Sequence, residues 1–215
     1  MKIAYWGHYK QIIHSKNIRN IKYFVFENEK SPKELLEYAR KNNVRYYLIK
    51  SKNDMLNILK DEEIPDLTIV GSFGKIFTPE MIEYVERKII NIHPGILPFY
   101  RGRHPLPQAI LNKETEMGIT AHVLNQEIDY GEIITLKKLK IDYSKSYKFN
   151  EQKLYNLVPD VFDETIKKYI KREIKFLVNK GKKGTYYKPL NKNLLRKVIN
   201  SNILKELFYD EKNSN

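Results

Sequence analysis

The sequence predicts an α/β fold built on a mostly parallel sheet, and three observations carry that reading. Short runs rich in β-branched and aromatic residues recur at IAYW (3–6), IKYFVF (21–26), VRYYLI (44–49), LTIVGSF (67–73), IINIH (89–93), ITAHVL (119–124) and IITLKKLKI (133–141), and each reads as a strand. Segments with helical spacing separate several of them. Strands alternating with helices imply βαβ units, with ligand sites at the carboxyl ends of the strands. The fifth run, IINIH, passes directly into PGILP, where Pro94 and Gly95 force the chain to turn. A site is expected at that turn.

In chain order, the first helix is expected over SPKELLEYARKNN (31–43), with Ser31 as its cap, Pro32 in the first turn and Leu35, Leu36 and Ala39 as its apolar stripe. TPEMIEYVERK (78–88) has the same grammar, with Thr78 as cap and Pro79 at the first helical position. Past Lys140 the alternation stops. EQKLYNLVPDVFDETIKKYIKREIKFLV reads as a long amphipathic helix through Leu154, Leu157, Val161, Ile166, Ile170 and Ile174, which Pro159 must kink or split. GKKGTYY (181–187) reads as a turn or short hairpin. NKNLLRKVINSNILKELF reads as a last helix whose apolar spacing offers a face to a second copy, so a homodimer is an open expectation. This change of grammar divides the chain into a core domain over 1–145 and a mainly helical extension over 146–215.

One domain with an appendage is also what 215 residues allow. No apolar run approaches the roughly 20 residues of a membrane-spanning helix. MKIAYWGHYK turns polar too soon for a secretory signal, so the expected location is the cytoplasm, with no membrane partner. The chain has no cysteine, which removes disulfides, thiolate nucleophiles and cysteine-bound metal. A formal charge of +13 favours anionic partners without choosing among nucleotide, nucleic acid and acidic lipid. Much of that excess falls in IKKYIKREIKF and VNKGKKGTYYKPLNKNLLRKV, where a lysine-rich habit on solvated helix faces explains it equally well.

Asn91 and His93 stand two residues apart at a strand end, so their side chains share a face. An amide donor beside an imidazole suits polarising a carbonyl and managing a proton, the needs of acyl or one-carbon transfer. Alone, the triplet is more often that of a structural histidine. In NQEIDYGEII (125–134), Asp129 lies in a turn tight enough to want Gly131. It is either a turn-forming residue or a carboxylate that fixes the tautomer of His93 and raises its basicity. In GSFGKIF (71–77), Gly71 and Gly74 permit close backbone approach, and Ile76 and Phe77 offer an apolar wall.

The run NIHPGILPFYRGRHPLPQAI, followed by GITAH (118–122) and IDYGEI (128–133), resembles the folate-dependent formyltransferases, which include glycinamide ribonucleotide, methionyl-tRNA and nucleotide-sugar enzymes. These share, in this order, Asn-x-His, Leu-Pro before a glycine-containing loop, Gly-x-Thr-x-His and Asp-x-Gly. The joint match spans roughly 3–141. The resemblance implies a Rossmann-like formyltransferase fold and transfer of the formyl group of N10-formyltetrahydrofolate to a primary amine, with no metal and no covalent enzyme intermediate. By it, Asn91, His93 and Asp129 match the catalytic triad, with either His93 or Asp129 as the base. Phe73 and Lys75 join Gly71, Gly74, Ile76 and Phe77, with Tyr130 and Gly131 of the Asp-x-Gly loop, in cradling the pterin largely through main-chain groups. His122 matches the Gly-x-Thr-x-His position with packing as its plain alternative, and His104 is expected to face solvent.

The resemblance also bears on the acceptor. Glycinamide ribonucleotide enzymes carry a glycine-rich phosphate turn near the first loop, where this chain has only Gly7 in GHYKQI (7–12). Methionyl-tRNA enzymes carry a sizeable β-barrel after the catalytic domain, for which about 70 mainly helical residues leave no room. The expected acceptor is therefore a nucleotide-linked amino sugar of the 3- or 4-amino-dideoxy type, serving surface polysaccharide synthesis. Tyr100, Arg101 and Arg103 are expected on its sugar and diphosphate side, because guanidinium forks suit phosphate oxygens. Nucleic acid is not the expected partner. Methionyl-tRNA formylation, formyl hydrolysis and RNA binding on the same scaffold are the other readings.

Overall fold

A computed structural model describes residues 1–28, 31–86, 88–171 and 184–208. Among these the strands are β1 (Ile3–Gly7), β2 (Ile21–Glu27), β3 (Arg45–Ile49), β4 (Leu67–Gly71), β5 (Ile89–His93), β6 (Arg101–Gly102), β7 (Glu116–Val123), β8 (Ile133–Lys140) and β9 (Tyr186–Tyr187). The helices are α1 (Lys33–Lys41), α2 (Lys52–Asp61), α3 (Pro79–Tyr84), α4 (Pro105–Leu111), α5 (Tyr147–Tyr155), α6 (Val158–Ile170) and α7 (Lys192–Ile199).

Every residue of β1 and β4 is buried, the signature of interior strands covered on both faces. They lie side by side in a seven-stranded sheet of order β3-β2-β1-β4-β5-β7-β8. The pairs from β3 through β5 are parallel, and β7 and β8 complete the sheet antiparallel. Strand order reverses beside β1, so a crevice opens at the carboxyl ends of β1 and β4.

The side-chain alternation of β1 feeds two cores. Ile3 and Tyr5 join Leu35 and Ala39 of α1 and Val161, Phe162 and Ile166 of α6 on one face. Ala4 and Trp6 join Met55 and Leu59 of α2 and Met81 and Ile82 of α3 on the other. Each such large apolar side chain contributes about 1.5–3 kcal/mol through burial. Residues on both sides of position 145 thus share one cluster, which also takes in Val198 of α7 and Leu204.

Several local expectations change. Helix α1 starts a residue late for Ser31 to cap it: Pro32 occupies the cap position without a side-chain bond, and Ser31 Oγ donates to the Asn28 carbonyl at 3.2 Å. Thr78 does cap α3, with Pro79 in its first turn. Two helices escaped the sequence reading. Helix α2 begins with a reciprocal capping box between Ser51 and Asp54. Helix α4 begins on Pro105, a proline at the first helical position, where its missing N–H costs nothing. The long helix after residue 146 is split into α5 and α6, and Pro159 lies in the first turn of α6. Ile174 lies outside the described residues, as do 181–183 of GKKGTYY. Tyr186 and Tyr187 pair in parallel with Arg101 and Gly102. The last helix ends at Ile199, and a short 3-10 turn, Leu204–Phe208, follows.

The loop after β1 is fastened to α6. Asp163 accepts bonds from Ser15 Oγ at 2.6 Å, the Lys16 N–H at 3.0 Å and Asn17 Nδ2 at 2.9 Å.

Candidate active site

The antiparallel register of β5 and β7 sets Asn91 opposite His122 and His93 opposite Thr120. Opposed residues and those two apart along a strand point the same way, so one face of this edge gathers an amide, two imidazoles and a hydroxyl. Asp129 joins them from the β7–β8 loop with a φ of +52°, a left-handed conformation that aspartate tolerates better than most residues. The left-handed residue of this turn is therefore Asp129, not Gly131. A Cβ on Gly131 would run into the Val123 carbonyl, so that glycine serves close approach of the chain.

The Asp129 carboxylate is 9% exposed and lies 3.4 Å by Oδ2 from His93 Nδ1 and 3.4 Å by Oδ1 from His122 Nε2. Oδ1 accepts from Asn91 Nδ2 at 3.2 Å, and Oδ2 accepts from the Gly102 N–H at 2.9 Å. Burial pushes this carboxyl up, but His93, His122 and the Gly102 N–H outweigh it and hold Asp129 well below the usual carboxylate range.

Hydrogen-bond partners fix the tautomers. His122 Nδ1 lies 2.9 Å from the Val123 carbonyl and donates to it, so Nε2 accepts from Asn91 Nδ2 at 3.1 Å in the neutral imidazole and faces Asp129 as a donor in the imidazolium. His122 therefore orients the Asn91 amide. His93 is 4% exposed, and its Nε2 donates to the Tyr100 carbonyl at 2.8 Å. Burial pulls the His93 imidazole below its ordinary range, against the opposing pull of Asp129 and the Tyr100 carbonyl. Neutral His93 thus carries its proton on Nε2 and its lone pair on Nδ1, beside Asp129.

Two pockets meet at Asn91 and Asp129. The smaller, about 120 Å³, lies between 70–77 and 122–129 with Phe73, Ile76, Phe77 and Leu124 as apolar walls. The larger is a cleft of about 610 Å³ bordered by His8, Tyr9, His93, Arg103, Tyr147, Glu151, Tyr155 and Ile199. Ile76 and Ile128 line both pockets and are 60% and 48% exposed.

The residues singled out for the pterin divide. Phe73, Lys75, Ile76 and Phe77 line the smaller pocket, while Gly74 borders the cleft and its N–H donates to Glu27 Oε2 at 2.7 Å. Gly71 turns its open side to Tyr9, whose ring would lie 2.7 Å from an added Cβ. Tyr130 sits under the Arg101 guanidinium, 4.9 Å from its ring centre, and neither Tyr130 nor Gly131 borders these two pockets.

The three residues expected to face the acceptor divide as well. Arg103 borders the cleft, whereas Arg101 is committed to Tyr130. Tyr100 turns inward: its ring stacks on Tyr187 at 5.2 Å and its hydroxyl donates to Glu114 at 2.5 Å. His104 does not face open solvent; it borders the cleft, and its Nδ1 accepts from the Leu190 N–H at 3.2 Å. The sequence reading missed Tyr147, Glu151 and Tyr155, although their spacing of four puts them on one face of α5.

The sequence signature described as formyl transferase matches residues 14–166. A methionyl-tRNA formyltransferase of Borrelia garinii subsp. bavariensis is 36% identical over 143 residues, 66% of this chain and 44% of that protein. The chain spans about half the length of the curated relatives it matches. Among solved structures, a phosphoribosylglycinamide formyltransferase from Anaplasma phagocytophilum superposes with a TM-score of 0.71 at 17% identity, covering 87% of this chain and 99% of that one. A sugar N-formyltransferase from Shewanella sp FDAARGOS_354 gives a TM-score of 0.66 at 21% identity, covering 87% of this chain and 76% of that one. These likenesses concern the fold, while the signature spans most of the chain: the protein belongs to the formyl transferase family.

Proposed function

We propose that this chain transfers the formyl group of N10-formyltetrahydrofolate to the primary amine of a nucleotide-linked amino sugar. The observation that carries the reading is the convergence of Asn91, His93 and Asp129 on the seam between two pockets of unlike character. When bound, the donor supplies a formyl carbon open to attack by an amine. The smaller pocket suits its flat heterocycle, because Phe73, Phe77 and Leu124 give apolar walls and the 124–129 loop gives main-chain polar groups.

The roles of the side chains follow from their partners. His93 accepts the proton shed by the attacking amine on Nδ1, giving an imidazolium 3.4 Å from the Asp129 carboxylate, and returns that proton to the folate N10 as the bond between N10 and the formyl carbon breaks. Asp129 is held too acidic to take that proton itself, so it orients and stabilises the imidazolium. Asn91 stabilises the charge that develops on the formyl oxygen by redirecting one amide hydrogen. Its bond to Asp129, at 3.2 Å the longer of its two, is the one to give way, while His122 keeps the other at 3.1 Å.

For the acceptor, a cleft of about 610 Å³ falls within the small-molecule range of about 300–1,000 Å³. Glu151 and the hydroxyls of Tyr147 and Tyr155 match sugar hydroxyls and an amine, and Arg103 matches a phosphate. A second reading, methionyl-tRNA as acceptor, is favoured by the curated relatives at 29–36% identity, which are methionyl-tRNA formyltransferases.

The test offers N10-formyltetrahydrofolate with either methionyl initiator tRNA or a panel of nucleotide-linked 3- and 4-amino sugars and follows formyl loss from the folate. The expected result is turnover with a sugar and a shallow salt dependence, since only two phosphates are engaged. Efficient tRNA formylation without sugar turnover replaces the acceptor and keeps the chemistry. Formate release that no amine accelerates replaces transfer by hydrolysis.

A further inference from the structure

Both halves of the His93–Asp129 pair are held by main-chain groups of one short segment. The Tyr100 carbonyl accepts from His93 Nε2 at 2.8 Å, and the Gly102 N–H donates to Asp129 Oδ2 at 2.9 Å. That segment is in turn held by residues from the far end of the chain. The Tyr100 N–H donates to Thr185 Oγ1 at 3.0 Å, the Arg101 N–H to the Thr185 carbonyl at 3.0 Å, and the Arg103 N–H to the Tyr187 carbonyl at 3.2 Å. The rings of Tyr100 and Tyr187 stack with 6° between their planes, and Asn112 Nδ2 donates to both hydroxyls, at 3.2 and 2.6 Å. Gly102 has a φ of +92°, and a Cβ there would strike the Tyr187 carbonyl, so the two strands approach as closely as bare backbone permits.

We infer that Thr185 and Tyr187 are positioning residues for catalysis: by fixing the Tyr100 carbonyl and the Gly102 amide, they set the tautomer of His93 and the aim of Asp129. An imidazole keeps its proton on the nitrogen that has an acceptor. Release of the Tyr100 carbonyl leaves the Asp129 carboxylate as the stronger acceptor, and the proton moves from Nε2 to Nδ1. The lone pair then points toward Tyr100, away from the seam, and His93 can no longer take the amine's proton. Thr185 borders neither pocket, so ligand binding survives the change. This inference rests on His93 as the base in the proposed formyl transfer.

The experiment compares the full-length chain with Thr185→Val, which removes one hydroxyl at nearly constant shape, Thr185→Ser, which restores it, and Tyr187→Leu, which removes the stack. Steady-state turnover gives kcat and the KM of each substrate. Imidazole ¹⁵N shifts in the ligand-free protein, assigned with His93→Gln, report the His93 tautomer. In the wild type the proton is expected on Nε2. Thr185→Val should shift the population toward Nδ1 and lower kcat about tenfold or more while both KM values stay within about twofold. Thr185→Ser should recover both readouts. If Thr185→Val does not fold, Tyr187→Leu carries the same comparison. A wild-type tautomer and kcat in the folded variants overturn the inference. If the wild type formylates no amine, the proposed function fails, while the shifts still decide whether this strand sets the tautomer.

Discussion

The two pockets that meet at Asn91 and Asp129 are built in opposite ways. The smaller takes its walls from two continuous stretches, 70–77 and 122–129, each the end of a strand and the loop after it. The larger borders the same 72–76 and 128–129 segments on one side and adds His8 and Tyr9 after β1, the end of β5 and its turn, residues 102–107, one face of α5, and Tyr186, Leu195 and Ile199. Walls made by strand ends inherit the rigidity of the sheet. Walls assembled from helices and loops change one residue at a time without disturbing a strand. If the smaller pocket takes the donor and the larger the acceptor, as proposed, the fold keeps a fixed donor side and adds adjustable walls on the acceptor side, a way for a shared chemistry to serve different amines.

The sharpest break in that contrast is at the seam, which belongs to both pockets. Asp129→Asn should lower kcat by about three orders of magnitude, because it removes the charge that stabilises the His93 imidazolium. Turnover of the purified, folded variant checks this, and near wild-type rates would dissolve the seam as the reacting centre. Next in size, Ile76→Ser should weaken folate affinity about tenfold through lost apolar contact and change the acceptor KM less, since Ile76 borders both pockets. With Ile76 60% exposed, the melting temperature should hardly move, so a titration calorimeter reads the loss directly. Glu151→Gln should do the reverse on a smaller scale, raising the acceptor KM about threefold to tenfold with folate affinity intact. If Glu151→Gln alters folate affinity instead, the two pockets are not independent.

The smallest effect is on stability. His93 is depressed in the folded state, so in the unfolded chain it takes its proton first, near pH 6.5. Stability should therefore fall as the pH drops below about 6.5, by at most about 1.4 kcal/mol per pH unit for this one group. The depressed Asp129 acts in the same direction lower down: its contribution is present above about pH 3.9 and is lost as the pH falls through its folded value. Denaturant melts between pH 7.5 and 5 should flatten in His93→Gln, and an unchanged slope would remove His93 as the cause.

How much of this was legible follows the same division. The interior strands announced themselves because burial on both faces demands unbroken β-branched and aromatic runs, as in IAYWG and LTIVG. The grouping of Asn91, His93 and Asp129 was legible because their motifs follow in a fixed order, the first two on β5 and the third in the β7–β8 loop. The role of His122 was not, since it depends on the register that sets it opposite Asn91, and register is a tertiary property. Tyr100 misled for a backbone reason: a φ of +59° at a position flanked by Phe99 and Arg101 turns its ring inward onto Tyr187, a partner from the far end of the chain. Helix α5 was read by its leucines, so the polar face carrying Glu151 between two tyrosines drew no notice.

Asp163 gives the molecule a schedule. The residues it holds, from Ser15 to Asn17, lie up to 148 positions earlier in the chain. During synthesis at about 5–20 residues per second, the loop after β1 must wait on the order of ten seconds for its anchor to be made, and longer to leave the ribosome. That loop follows His8 and Tyr9, so the wall they give the larger cleft is anchored late in the nascent protein. The smaller pocket takes its lining from residues 70–129, all synthesised before Asp163. A chaperone or protease that meets the chain in this interval sees the first loop before its anchor exists.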